Sequence, residues 1–82
     1  MGIVGQIQLG KQGLTENFIE SLKNLFKNNK NVKISVLKSA RGDKDSVKKY
    51  SEDILDKLGK NYTARVIGFT IVLKKWRRDV RG

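Results

Sequence analysis

The sequence predicts an α+β fold. We read it as a β-α-β-α-β-β two-layer sandwich, a four-stranded mixed sheet with both helices on one face. Three observations predict this. Four short runs alternate apolar and polar residues, the period of a strand. Two longer runs repeat their apolar residues at helical spacing. The strand runs alternate instead of being apolar throughout, which suits a sheet covered on one face and open on the other. The β-α-β units call for right-handed crossovers.

The first strand is read over residues 3–9, where Ile3, Gly5, Ile7 and Leu9 alternate with Val4, Gln6 and Gln8. Gly5 weakens it and marks a place where another backbone can come close. Thr15 is placed to cap the first helix and Glu16 suits its first turn. Phe18, Ile19, Leu22, Leu25 and Phe26 form its core-facing stripe, Lys23 and Lys27 point away, and Asn28 and Asn29 end it. Val32, Ile34 and Val36 alternate with Lys33, Ser35 and Leu37 in a second strand rich in β-branched residues.

A polar loop over 39–45 follows. Val47, Tyr50, Ile54, Leu55 and Leu58 give the second helix, with Asp45 or Ser46 as cap and Gly59 beyond its end. Tyr50 falls on the core side, while Glu52, Asp53 and Asp56 make part of the exposed surface acidic and should turn from a polyanion. The runs 62–67 and 70–73 read as an antiparallel hairpin turning at Gly68 and Phe69. The compact domain is taken as residues 1–74, and 75–82 as a basic C-terminal tail.

At 82 residues the chain is one domain with a modest core. Leu, Ile, Val and Phe make up 25 of the 82 residues, enough for a folded core in spite of the charge. Eighteen Lys and Arg against eight Asp and Glu give a net charge of +10, a surface that attracts polyanions. Cys and His are both absent. That excludes disulfides, thiolate and imidazole metal sites, and Ser/His/Asp or Cys/His catalysis. Asp43 and Asp45 flank Lys44 and read as a solvated loop, not a cation site. Glu16 and Glu20 share a helix face and read as solvated. We therefore expect no enzyme, no cofactor and no small-molecule substrate. The apolar runs are strand-sized, so no membrane span is expected, and the reading is a cytoplasmic protein.

The stretch Leu9-Gly10-Lys11-Gln12-Gly13-Leu14-Thr15 lies between the first strand and the first helix. A helix N-terminus carries partial positive charge, glycine removes the Cβ that would hold an anion off, and Lys11 adds a full charge. A Gly-x-x-Gly loop opening a helix is how KH-type domains clamp single-stranded nucleic acid. Trp76 is flanked by Lys74, Lys75, Arg77 and Arg78. Either it stacks on a base while its neighbours hold phosphates, or it folds back as a lid on the core. Phe69 is read as packed.

The strand followed by Gly-Lys-x-Gly-Leu-Thr, and the later run Val66-Ile67-Gly68-Phe69-Thr70-Ile71-Val72-Leu73, resemble the CRM domain, the chloroplast RNA splicing and ribosome maturation domain of YhbY-like RNA-binding proteins. Lys33-Ile34-Ser35-Val36 matches that family's second strand more loosely. The resemblance implies a fold like the carboxy-terminal domain of translation initiation factor three. It also implies RNA binding, with ribosomal RNA or ribosome precursors as partner, and RNA contact at Gly10, Lys11, Gln12 and Gly13. The electrostatics would come from Lys33, Lys38, Arg41, Lys44, Lys74, Lys75, Arg77 and Arg78, with Trp76 among them. Two other readings compete: an Alba-like chromatin protein binding DNA or RNA, and peripheral binding to anionic membranes. The second lacks a spare amphipathic segment. An edge strand leaves pairing with a second copy open.

Overall fold

The computed structural model describes residues 4–40, 42 and 44–78, with the backbone alone at Lys44. The elements run β1 (Gly5–Leu9), α1 (Glu16–Asn28), β2 (Asn31–Val36), a 3₁₀ turn (Lys38–Ala40), α2 (Lys44–Leu58), β3 (Tyr62–Ile67) and β4 (Thr70–Lys75). The strands form one mixed sheet in the order β1-β2-β4-β3. β1 and β2 are parallel, joined by the α1 crossover, and the other neighbours are antiparallel. This is the predicted α+β sandwich.

Register fixes which face is which. Ile7, Ile34, Ile71 and Val66 share one row, and Leu9 lies beside Val36. This face meets Phe18, Ile19, Leu22 and Phe26 of α1 and Val47 and Ile54 of α2, and the core closes between the layers. Leu9, Leu22, Ile34, Ile54, Ile71 and Leu73 are completely buried. Each contributes on the order of 1.5–3 kcal/mol of transfer free energy. The rings of Phe26 and Tyr62 meet edge to face at 5.0 Å, closing the core at one end.

Several details differ from the sequence reading. The close neighbour of Gly5 is the cap of α1, not another backbone. A Cβ there would lie 3.1 Å from Asn29 Nδ2 and 3.3 Å from Val32 Cγ2. The Asn29 amide is held in place because it donates to the Leu25 carbonyl at 2.9 Å. α2 starts at Lys44, so Asp45 and Ser46 lie in its first turn and do not cap it. Tyr50 is half-buried against the core and its hydroxyl donates to the Ala40 carbonyl at 2.7 Å. Phe69 packs against the core from the hairpin turn. β4 continues past Leu73 to Lys75, because the Lys75 amide donates to the Lys30 carbonyl at 2.9 Å. Ile3 lies outside the described residues.

Candidate nucleic-acid interface

Gly10 to Gly13 form a tight turn at the carboxyl end of β1. The Gly13 amide donates to the Gly10 carbonyl at 3.0 Å, which leaves Lys11 and Gln12 exposed at its tip. Gly13 has φ of +71°, a left-handed conformation that side chains with a Cβ resist. Gly10 is different. It has no positive φ, and a Cβ on it would meet only Leu37 Cδ1 at an ordinary 3.8 Å. The fold requires Gly13 and leaves Gly10 unconstrained.

The turn delivers the chain into α1. Thr15 caps the helix, its Oγ1 accepting from the Phe18 amide at 3.1 Å. That still leaves first-turn amides directed outward, as any helix start does. A hollow of about 380 Å³ opens here, with Gln8, Gly10, Lys11, Gln12, Thr15 and Asn17 in its wall. Its lining includes no acidic side chain. Strand, turn and helix start thus combine a partial positive charge, a full one and polar donors around an accessible backbone. That set suits an anionic backbone.

The other candidate residues divide between the two ends of the sheet and its open face. Lys38 lies at the Gly-loop end: it follows Leu37, whose amide donates to the Leu9 carbonyl at 2.9 Å. Lys33 is exposed midway along β2. Lys74 and Lys75 end β4 at the opposite end, and Trp76, Arg77 and Arg78 are exposed beyond them. Arg41 lies outside the described residues, as do Asp43 and the Lys44 side chain.

Trp76 is not a core lid. It is 38% exposed and lies outside the core cluster. Its indole N–H donates to Thr63 Oγ1 at 2.9 Å, and Lys74 Nζ stands 4.1 Å from its ring centroid. Its backbone is held as well: its amide donates to the Asn61 carbonyl at 2.7 Å, and Asn61 Nδ2 donates to its carbonyl at 3.2 Å. A groove of about 510 Å³ runs beside it, where Lys27 and Lys30 join Lys74, Lys75 and Arg77.

Sequence reasoning missed Lys27, Lys30 and Arg65 as candidates. Lys27 and Lys30 are far from β4 in sequence and meet its end only through the β2–β4 pairing. Arg65 had a signal: with Tyr62 inward, alternation along β3 puts position 65 on the open face.

The charge distribution completes the site. α1 carries two lysines and two glutamates, and α2 carries four lysines and four acidic residues. Each helix is net neutral, so the whole +10 excess lies in the strands, loops and ends.

A small α+β domain with a Gly-x-x-Gly turn, a capped helix opening from it and excess positive charge confined to strands and loops has the make-up of a nucleic-acid-binding domain. The model of the CRS1 / YhbY (CRM) domain matches residues 2–75, and the chain belongs to that family of RNA-binding domains. No curated protein and no solved structure gave a significant match. No helix among the described residues is long and apolar enough to cross a membrane.

Proposed function

We propose that the chain is a non-catalytic RNA-binding protein acting on ribosomal RNA or ribosome precursors during ribosome maturation. It holds RNA through Gly10, Lys11, Gln12 and Gly13 together with the basic surface. The observation that carries this reading is the turn: its tip exposes Lys11 and Gln12 while Gly10 lacks a side chain that the fold does not forbid. Family membership supports RNA as the ligand class. The ribosomal assignment follows from what the family resemblance implies.

The test is Lys11→Asp combined with Gln12→Asp. Two carboxylates then stand where an anion should sit, near a helix N-terminus that tolerates them, so the melt should match the parent. Affinity for ribosomal RNA fragments should fall sharply, because attraction becomes repulsion at close range. Titrations with duplex DNA at the same salt concentration serve as the comparison. A variant that melts like the parent and binds RNA equally well removes the loop from the interface. Cross-linking in cells followed by RNA sequencing tests the ribosomal assignment.

A further inference from the structure

The face of the sheet turned from the helices carries Gln6 and Gln8 of β1, Lys33 and Ser35 of β2, Thr63, Arg65 and Ile67 of β3, and Thr70, Val72 and Lys74 of β4. No described helix packs on it. None of the four strands contains an acidic residue. Lys33 and Arg65 both pair with Val72, so they flank it in a single row. Lys74 pairs with Thr63 one row further on, and that pair holds the Trp76 ring from two sides.

The face is continuous with both ends. Gln8 lines the hollow at the Gly loop and also a smaller one with Gln6 and Ser35. Lys74 and Trp76 line the groove at the far end. Ile67, at 56% exposure, and Trp76 add apolar surface at the two ends of the face.

We infer that this open face is a track for single-stranded RNA, along which a strand runs from the Gly10–Gly13 turn, past Lys33 and Arg65, to Trp76. The inference rests on the RNA-binding reading above and adds to it a path and a polarity of contacts. Charge selects the occupant. Cations carried on strands that contain no acidic residue favour a polyanion and disfavour a second copy of this +10 chain. A single strand also supplies unpaired bases for an aromatic ring, which a duplex does not. Lys33, Arg65 and Lys74 take phosphates. The indole, fixed by Thr63, takes a base, and the Lys74 ammonium turns from the ring to the phosphate beside that base.

The experiment titrates the full chain with an oligouridylate of about twelve nucleotides, a length within the range that small single-strand binders occupy. Trp76 fluorescence should change saturably. It should do so in Lys11→Asp/Gln12→Asp too, at weaker affinity, since the far end of the track remains. Lys33→Gln/Arg65→Gln should melt like the parent, with the slope of log K against log salt shallower by about 1.4 for two lost phosphate contacts. Trp76→Leu should lose about 5- to 150-fold in affinity, the range for one stacked base. The track is overturned if the oligonucleotide binds the parent while Trp76 fluorescence and the salt slope of the Lys33/Arg65 variant stay unchanged. The loop reading survives that outcome. A parent that binds no RNA defeats the function reading itself, and the track with it. Polyglutamate changing Trp76 fluorescence at equal affinity would assign the face to an acidic protein and overturn RNA as its occupant.

Discussion

Gly13 and Gly10 bracket one turn under opposite constraints. Gly13 adopts φ of +71°, so Gly13→Val should cost about 1–3 kcal/mol in backbone strain. In a domain of this size each kcal/mol lowers the melting temperature by roughly 4–8 °C. Gly10→Ala should melt like the parent, since its methyl has only Leu37 near it. Its RNA affinity should nevertheless drop, because the methyl stands where a phosphate backbone approaches. A Gly10→Ala protein that melts lower and binds as well as the parent would make Gly10 a folding residue only. The pattern Gly-x-x-Gly was legible in the sequence. The division of roles was not, because φ and the position of Leu37 follow from how β1 and β2 pair. Tyr62 gives a pH signature. Burial raises its hydroxyl pKa above 10.0, so the folded state holds that proton where the unfolded chain releases it. This stabilisation is complete below about pH 10 and is lost as pH rises through the folded value. Thermal melts between neutral and strongly alkaline pH should therefore fall less steeply for Tyr62→Phe than for the parent.

The junction of α1, β1 and β2 depends on a glycine that binds nothing. Gly5→Ala places a Cβ 3.1 Å from Asn29 Nδ2 and 3.3 Å from Val32 Cγ2. The cap amide of Asn29 or the Val32 side chain must then shift, so the variant should be destabilised with RNA affinity per folded molecule unchanged. Denaturant titration and RNA binding on the same sample check both halves. Ile34→Ala, at the completely buried centre of the sheet, should cost about 2–5 kcal/mol. Element type and order were legible because the core-facing apolar residues keep period two in β1 and β2 and helical spacing in α1 and α2. β3 and β4, which add Ile67 and Val72 on the open face, were marked by the turn at Gly68 between them. Element ends were harder. Lys74 lay beyond the strand run read over 70–73 and Lys75 in the basic tail, yet both are strand residues because Asn31 and Lys30 lie opposite them. Long-range pairing of that kind leaves no local trace. In the same way, α2 begins at Lys44, two residues before the serine that resembled a cap.

The whole molecule separates charge from packing. Two net-neutral helices seal the core, and the sheet, turns and ends hold the excess positive charge. Net charge and the family resemblance were legible in composition and motif. The confinement of that charge was not, since Lys33, Arg65 and Lys74 come from three strands and meet only through register. Binding should be strongly salt-dependent: five neutralised phosphates give a slope of about −3.5 in log K against log salt for a single strand. Affinity indifferent to salt would contradict a surface that works by charge. The central claim, that the Gly10–Gly13 turn meets RNA, is tested most directly by amide chemical-shift mapping of the labelled chain during titration with a single-stranded ribosomal RNA fragment. The expected result is a saturable set of shifts over Gly10 to Thr15 that is absent in Lys11→Asp/Gln12→Asp. Shifts confined to the exposed face of α2 around Glu52, Asp53 and Asp56, with the turn unmoved at saturation, would contradict it.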